Sequence, residues 1–306
     1  MKNRLFRLAL AVLLWNLLVI GWGAFVRASG SGAGCGAHWP LCDGEVVPRA
    51  PSVERLIEWT HRATSGLALL AGVALLVAAF RWRPAGHPAR RAAAWAFGFL
   101  LMEAALGAGL VLFELVAENE SAARAVAMAL HLVNTFFLLG ALTLTLHHAC
   151  EDRPLVRAHD PALARLWLAA LGLLLLAGVS GAIAALGDTL FPAASLAHGL
   201  AQDLSPAAHL LLRLRLLHPL FAAVAAVGVA LFAQRALARE PGPAAERRAR
   251  WAGLLVFAQL ALGVVNFGLL APIPLQLAHL LLADLVWIAT ILAGAAALAA
   301  PRAAVA

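Results

Sequence analysis

Charged residues are scarce in this chain. Only 13% of its 306 residues are charged, whereas 63% are hydrophobic. A soluble domain carries about 25% charged and 45–50% apolar residues, so this chain has too little polar surface to cover a soluble globule. The composition excludes a soluble enzyme, a disordered protein and a nucleic-acid-binding protein, and it indicates a polytopic membrane protein. The net charge of +7 fits that class, because membrane proteins collect Lys and Arg in their cytoplasmic loops.

Cysteine is scarce as well. The chain has three cysteines and no C-x-x-C-H sequence, which excludes covalent attachment of a c-type haem. Cys35 and Cys42 lie seven residues apart in a glycine-rich segment, which the topology below places in the first outer loop. A disulfide is allowed on that side of a membrane. The pair is then either a structural staple of the loop or a redox-active dithiol that exchanges with a thioredoxin-like reductant.

Eight apolar runs are long enough to cross a bilayer as helices, for which about 20 residues are needed. With the N-terminus inside, 16 Lys and Arg residues lie on the inner side and 7 on the outer side. This asymmetry predicts an all-α, multi-pass plasma-membrane protein with both termini cytoplasmic. The predicted spans are residues 8–27, 58–80, 92–114, 124–146, 163–186, 209–234, 250–270 and 275–299.

The two halves of the chain resemble each other. Gly23 precedes His61 by 38 residues, and Gly181 precedes His218 by 37 residues. Four spans in each half predict a parallel repeat, related by an axis along the membrane normal. We therefore predict two tandem, pseudo-symmetric four-helix bundles, residues 1–150 and 151–306, each with its own site.

Four histidines lie within the spans, all on even-numbered helices and near the outer ends. An ionisable residue inside a membrane indicates function, and pairing in both halves favours this over an interhelical hydrogen bond. Zinc needs three or four ligands, and only Glu58 could join, in the first half alone. Two imidazoles in the apolar core of a bundle suit a haem iron, so we predict one bis-histidine site per half. The four residues are His61, His131, His218 and His279.

Glu58 lies three residues before His61, on the same face of the helix. A carboxylate beside a potential metal ligand can relay protons, whereas the alternative is a simple pairing with Arg62 at i+4. The glycine-rich loop with Cys35 and Cys42, the Glu58-x-x-His61-Arg62 motif and the four even-helix histidines together resemble the haem A synthase family. The resemblance covers nearly the whole chain.

This resemblance implies eight helices in two similar bundles and an enzyme that oxidises a methyl group of haem O to a formyl group through successive hydroxylations. It implies a resident haem b on His218 and His279. It also implies that His61 and His131 hold the substrate haem O and that Glu58 is catalytic. Haem O synthase and cytochrome oxidase assembly factors are the partners expected for such an enzyme.

The resemblance further implies a disulfide between Cys35 and Cys42, whereas the equivalent outer segment of the second half, 188–206, carries no cysteine. Two repeat-equivalent pairs differ between the halves: Glu58 aligns with Arg215, and Glu103 with Gln259. The first difference suits one catalytic half and one cofactor half. We expect Glu103 and Asp284 to face the interior of the bundles, without an assigned role.

Two other classes of function compete with the synthase. A non-catalytic b-type cytochrome passing electrons from quinol would favour two equivalent sites and would need neither Glu58 nor the cysteine pair. A transporter would show helices interrupted by Gly or Pro at the membrane midplane, whereas the polar groups of this chain cluster near one face.

Overall fold

A computed structural model describes residues 2–151, 160–239 and 242–299. These residues form helices and loops, with no β-strand among them, so the predicted all-α class is confirmed. Three of the 16 Lys and Arg residues counted on the inner side, Arg153, Arg157 and Arg302, lie outside the described residues, and so does His159. The helices are α1 (Lys2–Ala28), α2 (Val53–Trp82), α3 (Pro88–Leu112), α4 (Ala122–Cys150), α5 (Pro161–Leu190), α6 (Leu196–Leu204), α7 (Leu210–Arg215), α8 (His218–Leu237), α9 (Pro243–Gly268) and α10 (Ile273–Ala297).

Within the described residues, eight helical segments are long and apolar enough to cross a membrane, as predicted. Several of them begin earlier than the apolar run, because polar residues cap and start the helix. In α2 the side chain of Ser52 accepts a hydrogen bond from the backbone N–H of Arg55 at 3.3 Å, so the helix begins at Val53. Glu58 and His61 therefore lie in the second and third turns of α2, deeper than the sequence predicts.

The sixth span is interrupted, which the continuous apolar run did not predict. It consists of α7 and α8, which are separated at Leu216 and Leu217. Pro219 explains the interruption, because it has no N–H to donate to the carbonyl of Arg215 and its ring would clash with that carbonyl. The interruption makes His218 the first residue of α8. A further helix, α6, lies in the outer segment 188–206 of the second half, where the sequence predicts a loop.

The spans are arranged as two rings of four helices with the same order of contacts. In the first half α1 packs on α2 and α4, and α3 packs on α2 and α4. In the second half α5 packs on α8 and α10, and α9 packs on α8 and α10. Each ring surrounds its own cluster of buried apolar side chains, although Trp287, Ile288 and Ile291 of α10 belong to the first cluster. The contact pattern matches the predicted repeat.

The two halves meet through α4, which packs on both α10 and α5, and through the contact of α1 with α10. The rings of Phe136 and Trp287 stack with centroids 4.9 Å apart, and Trp287 Nε1 donates to the carbonyl of Phe136 at 2.7 Å. At the outer end, Arg27 of α1 crosses to the second half and donates to the carbonyl of Ala185 at 2.8 Å and to Gln276 Oε1 at 2.9 Å. Buried aromatic and polar contacts thus fix one half against the other.

Gly294 of α10 packs directly against Trp167 of α5, whose Nε1 donates to the carbonyl of Thr290 at 3.0 Å. A Cβ at position 294 would overlap the indole ring. We predict that Gly294→Ala lowers the stability of the second half by about 1–3 kcal/mol, the usual cost of overpacking a core. Thermal unfolding in detergent measures it.

Gly172→Ala on α5 is the matched control, because a Cβ there would meet no atom within 4 Å. Equal melting temperatures for the two variants would contradict the close packing of α5 on α10.

Candidate functional site

The second half contains a clear histidine pair. The imidazoles of His218 on α8 and His279 on α10 face each other with ring centroids 6.3 Å apart and planes at 86°. Metal–imidazole bonds are about 2 Å long, so one metal ion between two imidazole rings of about 1 Å radius separates their centroids by about 6 Å. The observed separation therefore fits a single iron bound by both rings.

Glycines on the neighbouring helices make room for three of the four imidazoles. A Cβ added to any of these glycines would lie 2.9–3.0 Å from the Cε1 atom of the histidine ring, which is closer than carbon atoms pack. The ring positions thus depend on a bare backbone opposite them. The pairs are Gly23 with His61, Gly181 with His218, and Gly263 with His279.

His131 is held differently. Its Nδ1 atom is in close contact with Glu103 Oε2 of α3, and the other carboxylate oxygen of Glu103 lies 2.8 Å from Thr135 Oγ1. His61 lies on α2, and both α2 and α4 pack on α3, so the helices of His61, Glu103 and His131 belong to one bundle. The structure therefore places both predicted histidines of the first half in one bundle and adds a carboxylate beside His131.

The second half has neutral partners at the corresponding places. Gln259 of α9 donates from Nε2 to the backbone carbonyl of His279 at 3.0 Å, and the same atom lies 3.3 Å from His279 Nε2. Ser180 Oγ lies 3.1 Å from His218 Nδ1. The sequence alone assigns Glu103 no role, although its equivalence to Gln259 was the signal that both face a histidine.

Glu58 is buried, with 3% of its surface exposed, and both carboxylate oxygens are engaged. Oε2 accepts the backbone N–H of Cys35 at 2.8 Å, and Oε1 accepts from Arg62 Nη2 at 2.5 Å. The alternative pairing with Arg62 is therefore present. Among the described contacts of Glu58 none is with a histidine, so its carboxylate connects α2 to the outer loop.

The outer loop is closed by a disulfide between Cys35 and Cys42, both of which are buried. Arg62 reaches into this loop and donates from Nη1 to the carbonyls of His38 at 2.5 Å and Leu41 at 2.6 Å. The disulfide implied by the resemblance is thus present. Because Glu58 and Arg62 hold opposite sides of the loop, the loop is fixed over the outer end of the first bundle.

Gly34 allows this loop to lie directly on α2. A Cβ at Gly34 would come within 2.6 Å of the backbone of Glu54. At the same point Arg55 donates from Nε to the carbonyl of Gly34 at 3.3 Å and forms an ion pair with Asp43. The glycine-rich composition of the loop therefore has a steric cause at the contact with the helix.

In the second half Arg215, which carries the opposite charge to Glu58, joins the outer segment to the helices. Its Nη1 lies 2.7 Å from Asp188 Oδ1 on α5, and its Nη2 lies 2.5 Å from Asp203 Oδ1 on α6. Arg215 thereby holds α6 over the second bundle. Glu58 and Arg215 stand at equivalent positions of the repeat, and each joins the outer segment of its half to the helices below.

The residues fit a haem in each half better than an isolated metal ion. No group of three or more His, Cys, Asp and Glu side chains within the described ranges has the arrangement of a metal-ion site. The Nδ1 atoms of His61 and His279 are buried and have no hydrogen-bond partner among the described residues. Two imidazoles and an apolar lining are what haem iron requires. Asp284 of α10 is also buried, with 1% exposure, and belongs to neither histidine pair.

Comparison with known proteins agrees with the family resemblance described in the sequence analysis. The sequence model of a family described as "Cytochrome oxidase assembly protein" (COX15-CtaA) matches residues 6–291. A protein named "Heme A synthase" from Alkalihalophilus pseudofirmus is 38% identical over 139 residues, which cover 44% of this chain and 43% of that protein. Another of the same name, from Bacillus licheniformis, is 36% identical over 149 residues, which cover 48% of this chain and 46% of that protein.

Longer relatives match almost the whole chain. A protein of Thermus thermophilus, named "Protoheme IX farnesyltransferase", is 50% identical over 287 residues. The match covers 94% of this chain and 47% of that protein, so the chain spans about half the length of this relative.

Proposed function

Because the chain belongs to the cytochrome oxidase assembly protein family COX15-CtaA, we propose that it is a haem A synthase that oxidises a methyl group of haem O to a formyl group through successive hydroxylations. The observation that carries this proposal is the presence of two histidine pairs at the same end of a membrane bundle with different polar partners. A non-catalytic cytochrome would favour two equivalent sites, and the contacts of Glu103 and Gln259 make these two unequal.

The two halves divide the work in this proposal. Residues 151–306 form the unit that keeps a resident haem b on His218 and His279, whose ring separation suits a single iron. Residues 1–150 form the unit that binds the substrate haem O between His61 and His131. Support for this division comes from the carboxylates, because Glu58 and Glu103 both belong to the first half.

A bound haem supplies the one-electron and oxygen chemistry, which protein side chains lack. The chain supplies the rest. The imidazoles hold the porphyrin near the outer ends of the helices, and the disulfide loop covers the first bundle and restricts water. Glu58, at the boundary between that loop and α2, is proposed to be the catalytic group that takes up and returns a proton at its carboxylate, with Arg62 holding the group in place.

The histidine pairs are tested by the pigments of purified variants. We predict that His218→Ala and His279→Ala remove the low-spin haem b spectrum, since each takes away one of the two imidazoles that would hold the iron. His61→Ala and His131→Ala should keep that spectrum and stop haem A formation. Visible spectroscopy and extraction of the haems measure both effects, and an unchanged spectrum in the first two variants would be incompatible with the assignment.

Glu58→Gln separates proton transfer from the anchoring of the loop. The amide oxygen can still accept from Cys35 and Arg62, whereas the group no longer exchanges a proton. We predict that this variant folds, retains the resident haem and accumulates haem O or a partly oxidised haem, with haem A formation lower by about 100-fold or more. Chromatography of extracted haems gives the result.

Arg55→Gln is the control, because Arg55 holds the same loop through Gly34 and Asp43 without contacting Glu58 in any described interaction. Its haem A content should remain within a few-fold of the unmodified protein. If both variants lost haem A equally, Glu58 would be an anchor of the loop and not a catalytic group.

The source of the substrate follows from its chemistry. Haem O carries a farnesyl chain, so an enzyme that transfers farnesyl to protohaem must act first. The name "Protoheme IX farnesyltransferase" describes such an enzyme, and relatives with that name contain a region similar to this chain. We therefore propose a haem O synthase as the partner that supplies substrate, and cytochrome oxidase assembly factors as partners that receive haem A.

For the disulfide we keep both proposals, a structural staple and exchange with a thioredoxin-like reductant.

The location proposed is the plasma membrane, with both termini cytoplasmic and the histidine pairs near the outer surface, on the basis of the distribution of Lys and Arg. Cys150 tests this orientation because it is a free, exposed cysteine at the end of α4 that lies away from His131. A membrane-impermeant maleimide should label it in inverted vesicles and not in right-side-out vesicles. Cys150→Ser provides the blank, and labelling from the outside would reverse the topology.

A further inference from the structure

The carboxylate of Glu103 and the amide of Gln259 occupy equivalent positions of the repeat, four residues before Gly107 and Gly263 respectively. Each faces the histidine of the helix that closes its own bundle, His131 or His279. The two side chains have nearly the same shape and differ in charge. The chain therefore carries a natural exchange of Glu for Gln beside its two histidine pairs.

In the first half the carboxylate of Glu103 contacts Nδ1 of His131, the ring nitrogen that would not bind the iron. Glu103 Oε2 contacts Nδ1 of His131, which leaves Nε2 available as the ligand. Thr135 Oγ1, 2.8 Å from the other oxygen, steadies the carboxylate, and only 16% of the Glu103 side chain is exposed. A carboxylate on the distal nitrogen of a metal-bound imidazole fixes the ring orientation and raises the basicity of the ligand.

In the second half the polar partners are neutral. Gln259 Nε2 lies 3.3 Å from Nε2 of His279, whereas Glu103 contacts Nδ1 of His131, and it also donates to the backbone carbonyl of His279. Nδ1 of His279 is buried without a partner among the described residues and would be the nitrogen left for iron, and Ser180 Oγ lies 3.1 Å from Nδ1 of His218. An amide and a hydroxyl can orient a ring without adding negative charge to it. A haem bound in this half consequently lacks the electron donation that Glu103 gives to the first half.

We propose that Glu103 is a positioning residue that directs Nε2 of His131 toward the iron and makes this imidazole a more electron-rich ligand, so that haem in the first half has a lower reduction potential than haem in the second. This inference rests on the proposed binding of haem by the four histidines. The physical reason is that negative charge near the iron stabilises its oxidised form, and that the low dielectric of the bundle strengthens the effect.

The test exchanges the two side chains. Glu103→Gln gives the first half the partner found in the second, and Gln259→Glu does the reverse. The full-length protein, purified with its resident haem and supplied with haemin to fill the first half, is titrated spectroelectrochemically. The second-half haem is identified by its loss in His218→Ala.

We expect Glu103→Gln to shift the reduction equilibrium of the first-half haem about tenfold toward the reduced form. This shift corresponds to a reduction potential that is higher by about 59 mV for one electron. Gln259→Glu should lower the potential of the second-half haem by a similar factor. Glu103→Asp, which keeps the charge on a shorter side chain, should recover at least part of the unmodified potential. Each variant should leave the potential of the other haem unchanged.

The inference is overturned if Glu103→Gln leaves the first-half potential unchanged, even where haem A formation falls, because a purely structural role would have that result. If Glu103→Gln no longer holds haem, Gln259→Glu decides: an unchanged second-half potential overturns the inference, and a lowered one supports it. Failure of the proposed function gives a different pattern, in which the potentials shift as expected and the unmodified protein converts no haem O.

Discussion

A polar side chain inside the hydrocarbon region must find its partner within the protein, because lipid offers none. Three of the four imidazoles meet this requirement through side chains of neighbouring helices, whereas the Nδ1 atom of His61 has no hydrogen-bond partner among the described residues. α3 supplies Glu103, α9 supplies Gln259, and α5 supplies Ser180. Elsewhere a helix comes close enough to cover a ring with backbone, which is possible only at glycine. Much of the internal order of both bundles can therefore be understood as the accommodation of four buried histidines.

The outer segments show that one structural task can be performed by opposite charges. Glu58 and Arg215 stand at equivalent positions, and each connects the segment above its bundle to the helices below. In the first half the carboxylate accepts a backbone N–H and an arginine; in the second half the arginine joins two aspartates. The difference in charge thus has a structural explanation as well as the catalytic one proposed here, which is why a functional test of Glu58 needs a control that loosens the loop by another route.

The sequence was sufficient for the features that depend on composition and regular spacing. Span number, helix class and the repeat follow from long apolar runs and recurring Gly and His positions, and the structure agrees with them. Features outside the apolar runs were missed, namely the start of α2, which the local cap of Ser52 sets, and the helix α6. The partners of Glu103 were missed because they depend on tertiary contacts. The break before His218 was predictable in principle, since Pro219 cannot continue a hydrogen-bonded helix, but the apolar run across it concealed the signal.

The two histidines of each pair are held by different parts of the structure. His131 and His279 belong to α4 and α10, whose apolar windows are 44% and 50% buried, against 28% or less in the other spans. These helices pack on each other through Phe136 and Trp287, so their histidines are fixed by the interface between the halves. His61 instead lies on α2, whose outer end is held by the disulfide loop, and the corresponding helix of the second half is held by Arg215. In each half one histidine of the pair therefore lies on a helix held by the interface between the halves, and the other lies on a helix held by the outer segment through contacts such as the ion pair of Glu58 with Arg62.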